Sequence, residues 1–118
     1  MHVIGSSFEI RAKQALERAG LKLLARNYIT RYGEIDLIMR DADTVVFVEV
    51  RYRAHAGHGD ASASITRAKR DRLIRSADLW LAAHPHTGSR ACRFDVVCYS
   101  GPSSSPHMRW LRNAFDAH

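Results

Sequence analysis

Two carboxylates stand inside stretches of sequence that otherwise have the composition of buried strands. Asp36 is flanked by an isoleucine and a leucine, and Glu49 is flanked by two valines. An ionised carboxylate is costly to bury unless it is paired, hydrogen-bonded or bound to a metal ion. Asp36 and Glu49 are therefore the first candidates for a chemical role.

The register of the strands that carry these acids decides whether they meet. Only Asp41 to Asp43 separate the two strands, which predicts an antiparallel hairpin. If Asp41 pairs with Thr44 across the turn, Asp36 lies opposite Glu49, with Cβ atoms about 5 Å apart. A slip of one residue would send the two acids to opposite faces of the sheet.

Spacing alone leaves two interpretations of this pair open. Facing carboxylates repel, and Mg²⁺ or Mn²⁺ would relieve the repulsion because these hard cations prefer oxygen ligands. Such an ion polarises a phosphodiester and acidifies a bound water, which is the chemistry of hydrolysis. In the second interpretation the acids form a cross-strand ladder of ion pairs, with Glu34 and Asp36 facing Arg51 and Arg53.

A helix precedes the hairpin, and a second helix and further strands follow it. Apolar residues at helical spacing predict the first helix, with Ser6 as its N-cap and Gly20 as its terminator. These apolar residues are Phe8, Ala12, Ala15, Leu16 and Ala19. The second helix is predicted from Ser62 to His84, before Pro85, and its apolar stripe consists of Leu73, Ile74, Ala77, Trp80 and Leu81.

Alternation and β-branched residues predict four strands, and together with the helices they define the fold class. The predicted strands are residues 21–30, 34–40, 44–53 and 93–99, whereas residues 108–115 fit either a short strand or a helical tail. The order α-β-β-β-α-β predicts an α/β fold with a mixed β-sheet flanked by helices. Residues 1–118 are expected to form a single domain, since the sequence contains no internal repeat or interior linker.

Charge and hydropathy favour a polyanionic partner over a membrane. Lys and Arg outnumber Asp and Glu by 18 to 12, giving a formal net charge of +6, which favours nucleic acid as a partner. The longest apolar run, Thr44 to Val48, is far shorter than a bilayer-spanning helix, and the N-terminus lacks the layout of a secretory signal. No membrane partner is therefore expected.

The two cysteines and the histidines are not expected to form a functional site. Cys92 and Cys98 lie in one predicted strand, too far apart to bridge, and are expected to be small buried hydrophobes in a reducing compartment, the cytoplasm. The histidines of the predicted loops and helix ends have no cysteine at zinc-ligand spacing and are expected to face solvent. They are His55, His58, His84 and His86.

Three segments resemble the YraN-like family of uncharacterised bacterial proteins. They are GEIDLI (Gly33 to Ile38), VFVEVRYR (Val46 to Arg53) and RFDVV (Arg93 to Val97). The resemblance runs from Gly5 to Phe115. Further matching positions lie before GEID, in the second helix and near the C-terminus. These are Asn27, Lys69, Arg72, Leu73, Ala77, Leu81 and the run Asn113-Ala114-Phe115.

That family is similar to archaeal Holliday-junction resolvases within the PD-(D/E)XK nuclease superfamily, which implies a restriction-endonuclease-like core. There an acid on one strand and E-x-K on the next bind metal, so Asp36 and Glu49 correspond to the two motif acids. Glu9 would correspond to the helical acid that completes the metal site. An equally good interpretation of Glu9 is a capping box with Ser6, in which it only satisfies a backbone N–H.

The sequence departs from the E-x-K motif at its lysine, because Arg51 occupies that position. Arginine stays protonated, so Arg51 could contact a phosphate or stabilise negative charge but could not act as a general base. Lys69 could supply the missing ammonium from the second helix. The alternative for Lys69 is an ordinary surface lysine whose stem covers apolar neighbours.

The remaining charged residues divide into structural acids and a basic surface. Asp95 and Glu34 are expected to be mainly structural, with Arg93 or Arg51 as partners. A set of lysines and arginines on the second helix and the third strand is expected to contact phosphates. The five residues of this set on the helix spread around the helix axis, so not all of them can face one ligand. The set consists of Arg51, Arg53, Arg67, Lys69, Arg70, Arg72 and Arg75.

The sequence supports three hypotheses about the function of the protein. The first is a Mg²⁺- or Mn²⁺-dependent endonuclease acting on structured or branched DNA. The second is a nucleic-acid-binding protein that keeps the nuclease fold without turnover, which Arg51 favours. The third is a basic partner-binding module, which Asp36 and Glu49 facing apart would support. Related nucleases often act in pairs, so a homodimer is one candidate for the assembly, although no sequence feature identifies a self-complementary surface.

Overall fold

The computed structural model describes residues 3–54, 65–85 and 91–116 of the 118-residue chain, with side chains from residue 7 onward. Two helices and five strands follow one another along the chain. They are α1 (Val3–Arg18), β1 (Lys22–Thr30), β2 (Gly33–Asp41), β3 (Thr44–Arg53), α2 (Arg67–Ala83), β4 (Ala91–Ser100) and β5 (His107–Phe115). The predicted helix start at Ser62, and also His55, His58 and His86, lie outside the described residues.

The strands form one sheet in the order β1-β2-β3-β4-β5. The pairs β1–β2, β2–β3 and β4–β5 are antiparallel, whereas β3 and β4 run parallel. A parallel neighbour requires a crossover connection, and α2 lies in that connection. The predicted mixed α/β sheet is confirmed, and the C-terminal segment is a strand rather than a helical tail.

The two helices cover opposite faces of the sheet, which explains the long apolar strands in the middle. Val45 and Phe47 of β3 belong to the core cluster that contains Leu73, Ala77 and Trp80 of α2. Their neighbours Val46 and Val48 belong to the cluster that contains Phe8, Ala12 and Leu16 of α1. Since successive side chains of a strand point to opposite faces, a strand buried on both faces needs continuous apolar sequence.

The first helix begins earlier than predicted. It starts at Val3, so Ser6 lies inside α1 and not before it. An N-cap residue must stand outside the helix in extended geometry for its side chain to reach the exposed N–H groups. The predicted Ser6 N-cap and the capping box with Glu9 are therefore wrong, and Glu9 lies on the helix body.

The second helix has a well-defined start that matters for the site. Thr66 is its N-cap, and the Thr66 hydroxyl accepts a hydrogen bond of 3.1 Å from the backbone N–H of Lys69. The predicted stripe is confirmed, since Leu73, Ala77 and Trp80 are buried and the other two residues pack against the same cluster. This arrangement fixes the first turn of α2, which carries Lys69, against the sheet.

Of the two registers that the sequence left open for the β2–β3 hairpin, the structure has the one that brings the two acids together. Asp41 pairs with Thr44, and the ladder continues to the pair Leu37–Val48. Ala42 in the turn has φ of 53°, the left-handed geometry that two-residue hairpin turns use to match the twist of the strands. The register therefore brings Asp36 of β2 toward Glu49 of β3, each one residue beyond the pair Leu37–Val48.

The cysteines differ in exposure, which corrects half of the prediction. Both are free thiols, so the expectation that they do not bridge each other is confirmed, and Cys98 is buried as predicted. Cys92 is exposed. The reason is its position at the exposed start of β4, since the continuous burial of this strand begins at Phe94.

Candidate functional site

Asp36 lies where the ladder between β2 and β3 stops. Beyond the pair Leu37–Val48, the side chain of Asp36 replaces a main-chain acceptor, and its Oδ2 accepts a hydrogen bond of 2.8 Å from the N–H of Val50. Because a backbone N–H of a strand points along the sheet, this carboxyl group lies in the gap between the two strands.

Asp36 lies close enough to Glu49 for the charge of Glu49 to affect its protonation. Burial, followed by the negative charge of Glu49, raises the pKa of Asp36 to about 8. The charge of Glu9 and a hydrogen bond shared with Glu49 add to this rise, and the Val50 N–H opposes it. The two strand acids meet, as the predicted register requires, and Asp36 retains a proton at neutral pH when no cation compensates the cluster.

Glu9 and Glu34 complete an acidic cluster around Asp36. One carboxylate oxygen from each of Glu9, Glu34 and Asp36 lies within 4.8 Å of the other two. Glu9 reaches this point from α1, and Glu34 comes from the start of β2. The family resemblance implied Glu9 here, with a capping box as an equally good alternative, whereas Glu34 was expected to have a mainly structural role.

Asn27 joins the two glutamates. Its Nδ2 donates hydrogen bonds of 2.6 Å to Glu9 and 2.7 Å to Glu34. The residue has a left-handed backbone with φ of 50° inside β1, a conformation that asparagine tolerates better than most residues. From the sequence, Asn27 was identified only as a position of the family resemblance. Asparagine is uncommon in the middle of a strand, and this alone could have marked the residue as functional.

Glu49 faces two cations on its other side. Its side chain is only 7% exposed, with Lys69 Nζ 3.3 Å and Arg51 Nη1 3.6 Å from Glu49 Oε2. Lys69 comes from the capped first turn of α2, and Arg51 lies two residues along β3. The ammonium predicted to arrive from the second helix therefore does reach the strand acid.

The predicted cross-strand ladder does not form as expected. Among the residues that the structure describes, the ion pair of Arg51 is with Glu49 on its own strand, and no pair joins Arg51 to Glu34. Glu34 accepts from Asn27, and Asp36 accepts from a backbone N–H. The reason is that β2 and β3 separate before reaching these residues, so their side chains no longer face one another directly.

Asp95 has the structural role expected for it. Its side chain is fully buried and accepts from Arg93 at 3.0 and 3.3 Å and from the indole N–H of Trp110 at 2.9 Å. The backbone N–H of Asn113 completes the set at 2.9 Å. Arg93 also binds Asp41 at 2.9 Å, so this network joins β4, β5 and the hairpin turn.

The predicted basic surface is divided by the geometry of α2. Lys69 and Arg72 line a small cleft next to the acids, together with Tyr32, Gly33, Glu34, Leu73 and Ser76. Arg70 turns the other way, donating to the carbonyl of Ile65 at 3.2 Å with its guanidinium carbon 5.4 Å from the centre of the Phe115 ring. Arg67 is exposed. Arg70 is therefore placed away from the acids, as helical geometry leads one to expect.

The donor set is chemically suited to a hard divalent cation. All its groups are carboxylate oxygens, the ligands that Mg²⁺ and Mn²⁺ prefer. The raised pKa of Asp36 reflects the cost of burying a negative charge beside Glu49 and Glu9. A cation would remove that cost. The carboxylates whose oxygens lie close enough together to hold it are Glu9, Glu34 and Asp36. Glu49, predicted as a third ligand in place of Glu34, lies next to Asp36 and is paired with Lys69 and Arg51.

No helix in the described part of the chain is long and apolar enough to cross a membrane.

The sequence is similar to known proteins across almost the whole chain. A profile of the uncharacterised protein family UPF0102 matches residues 8–99. A UPF0102 protein of Pseudomonas putida strain GB-1 is 50% identical over 113 residues, covering 95% of this chain and 92% of that protein. A UPF0102 protein of Alkalilimnicola ehrlichii is 52% identical over 113 residues, covering 96% and 86%.

The resemblance to the YraN-like family is also confirmed by name. The UPF0102 protein YraN of Escherichia fergusonii is 46% identical over 115 residues, covering 97% of this chain and 85% of that protein. None of these relatives' names states an activity or a ligand. The chain belongs to the uncharacterised protein family UPF0102.

Proposed function

We propose that this protein is a metal-dependent endonuclease that acts on structured or branched DNA, built on a core of the PD-(D/E)XK nuclease type. One observation carries the proposal. Asp36, largely buried where the pairing of β2 and β3 stops, lies beside Glu49, whose charge raises its pKa, and Glu49 in turn lies 3.3 Å from the ammonium of Lys69. An acid on one strand, an acid on the next and an adjacent ammonium are the parts that phosphodiester hydrolysis with a hard cation requires.

Glu9, Asp36 and Glu49 are the residues that would hold Mg²⁺ or Mn²⁺, with Glu34 available beside them. The bound ion would polarise the phosphodiester and acidify a water molecule. The protein's own part is to supply several negative oxygens close together in a partly buried position. Asn27 holds Glu9 and Glu34 in place by its two short hydrogen bonds.

Lys69 and Arg51 divide the work that one motif lysine would do. Lysine can give up a proton in a suitable environment, whereas arginine stays charged at any physiological pH. Arg51, whose side chain is 33% exposed, contacts a phosphate oxygen and stabilises the charge that develops there. Lys69 lies against Glu49 from α2 and carries or orients the proton at the reaction centre.

A second function rests on the same geometry and on one departure from the motif. If Lys69 serves only as the ion-pair partner of Glu49, the protein would bind nucleic acid through its basic rim without cutting it. Arg51 in place of the motif lysine favours this alternative. The third candidate, a partner-binding module without a metal, lacks its expected support, because the charge of Glu49 acts directly on Asp36.

A cleavage assay separates these functions. Single-stranded, duplex and four-way DNA are incubated with the full chain, with and without Mg²⁺ or Mn²⁺. We expect metal-dependent cleavage by wild type and a loss of at least about 100-fold in Asp36→Asn and Glu49→Gln, because each removes a ligand charge and keeps the side-chain shape. The readout is the initial rate of product formation on denaturing gels.

Glu17→Gln is the matched control for these variants. Glu17 lies on the same helix as Glu9, is exposed and pairs with Lys13 at 3.0 Å, away from the cluster. It should cut at the wild-type rate. Equal residual cleavage by all proteins would identify a contaminating nuclease, and tight DNA binding without any metal-dependent cleavage would favour the second function.

A further inference from the structure

An aromatic ring flanked by arginines lies beside the acidic site, on the turn that joins β1 to β2. The guanidinium carbons of Arg31 and Arg75 are 4.9 Å and 5.5 Å from the centre of the Tyr32 ring. Arg31 also donates a hydrogen bond of 2.9 Å to the Tyr32 hydroxyl. This hydrogen bond first of all, followed by the charge of Arg31 and the nearby Arg75, lowers the pKa of Tyr32.

The turn is held in a defined position by contacts with α2. The hydroxyl groups of Thr30 and Ser76 are 2.8 Å apart, and Ser76 is almost fully buried. The backbone N–H of Tyr32 donates to the Thr30 hydroxyl at 3.0 Å. Because the turn is anchored on a buried hydroxyl, a ligand that binds Tyr32 would not have to order the turn first.

A third arginine connects this turn to the acids. Tyr32 and Arg72 line the same cleft as Glu34 and Lys69. Arg72 and Arg75 are three residues apart on α2 and therefore neighbours on its surface. The ring and its arginines thus lie at one border of the cleft that Glu34, one of the candidate metal ligands, also lines.

The charge on this border is not compensated within the described part of the protein. There, none of Arg31, Arg72 and Arg75 forms an ion pair with a carboxylate. Guanidinium groups gathered around one ring repel each other and attract an anion with several oxygens, such as a phosphate. Aromatic rings and guanidinium planes are also the surfaces on which unpaired bases stack.

We propose that Arg31, Tyr32, Arg72 and Arg75 bind a single-stranded segment of the DNA substrate next to the cleavage site. Tyr32 stacks on an unpaired base, and the arginines contact the phosphates on either side of it. Bases in a continuous duplex are stacked on each other and cannot reach the ring. The inference rests on the proposed function and narrows its substrate to DNA with an unpaired segment next to the cut, such as a branch or a flap.

Binding without cleavage tests the stacking contact. Fluorescence anisotropy is measured in EDTA with a labelled single strand of about 20 nucleotides and with the corresponding duplex. Tyr32→Ala and Tyr32→Leu should weaken single-strand binding by about tenfold or more, since stacking on one base is worth roughly 1–3 kcal/mol. Tyr32→Phe should keep most of the affinity because the ring remains, and duplex binding should change little in all three.

The arginine contacts are tested by the salt dependence of single-strand binding. Each phosphate contact contributes a slope of about 0.7 in a plot of log affinity against log salt concentration. Arg75→Gln should lower that slope by about this amount. Arg112→Gln is the matched control, since Arg112 also stacks on a ring, 4.0 Å from the centre of Trp110, but lies on β5 at the opposite edge of the sheet. Its slope should equal that of wild type.

The outcomes distinguish this inference from the proposed function. Wild-type affinity in folded Tyr32→Ala and Tyr32→Leu would overturn the stacking site while leaving metal-dependent cleavage at Asp36 untouched. Equal losses on single-stranded and duplex DNA would also overturn it, because no unpaired base would then be recognised. Wild-type protein that binds neither DNA would overturn the proposed function together with this inference.

Discussion

At the scale of residues, the chemistry of the candidate site depends on the proton of Asp36. This carboxyl group is buried beside Glu49 and close to Glu9, and its pKa is raised to about 8. A folded-state pKa above the unfolded value means that the folded chain holds a proton that the unfolded chain loses. Below about pH 4 this group therefore does not change the free energy of unfolding. As the pH rises from about 4 to about 8, the free energy of unfolding falls.

Asp36→Asn should remove this loss of stability. The amide keeps an oxygen for the N–H of Val50 and carries no charge at any pH. We expect the metal-free variant to match wild type at pH 4 and to exceed it by several kcal/mol at pH 8. Urea unfolding in EDTA at both pH values measures the difference, and an Asn variant less stable than wild type at pH 8 would contradict the assigned proton.

Lys69 offers a second prediction at this scale. Its ammonium lies 3.3 Å from Glu49 Oε2, and arginine at this position keeps the charge but cannot release a proton. If the endonuclease proposal holds, Lys69→Arg should bind DNA with nearly wild-type affinity and cut it at least about 100-fold more slowly, the lower end for a proton-transfer group. Cleavage rates of Lys69→Arg and Lys69→Ala are compared, and an unchanged rate in Lys69→Ala would exclude the lysine from the reaction.

At the scale of elements, the first turn of α2 connects helix stability to the site. Thr66 caps the helix by accepting from the backbone N–H of Lys69. The cap therefore fixes the backbone of Lys69, whose side chain reaches from α2 to Glu49 on β3. Loss of the cap should fray the turn and withdraw the ammonium.

Thr66→Ala should lower the free energy of unfolding by about 1 kcal/mol. If the endonuclease proposal holds, cleavage should fall further than this modest loss of stability explains, because Lys69 is no longer held against Glu49. Thr66→Ser keeps the capping oxygen and serves as the control in both chemical unfolding and cleavage. Equal behaviour of the Ala and Ser variants would contradict the role of the cap.

At the scale of the whole molecule, the site joins elements from both faces of the sheet. Glu9 comes from α1, Asp36 and Glu49 from the central hairpin, and Lys69 from α2. A cation that binds these oxygens binds only the folded chain, since the unfolded chain does not bring them together. Ligand binding to the folded state alone raises stability by mass action.

Mn²⁺ should therefore raise the melting temperature. At a concentration 100 times the dissociation constant, the gain is about 2.7 kcal/mol, or roughly 5–10 °C for a domain of this size. Differential scanning fluorimetry of wild type and Asp36→Asn, at matched ionic strength, measures the shift. A rise of equal size in both proteins would mean that the ion binds elsewhere.

Much of the architecture was accessible from local patterns. Apolar alternation predicted the strands, helical spacing predicted both helix faces, and the short turn at Asp41 predicted the register that brings Asp36 to Glu49. These features are local because each depends on neighbours within a few residues or across one hairpin. The start of α1 was misplaced because Ser6 has the residue type of a cap but lies within the helix.

The two strand acids, the mixed sheet and the membership of UPF0102 follow from the amino-acid sequence. The folded chain was needed to show that Glu34 and Asn27 join Glu9, that Lys69 reaches Glu49, and that Arg70 turns away while Arg72 lines the cleft. The physical reason is that these contacts cross between elements distant along the chain. The packing of both helices on the split hairpin sets their distances, and no periodicity along the sequence encodes that packing.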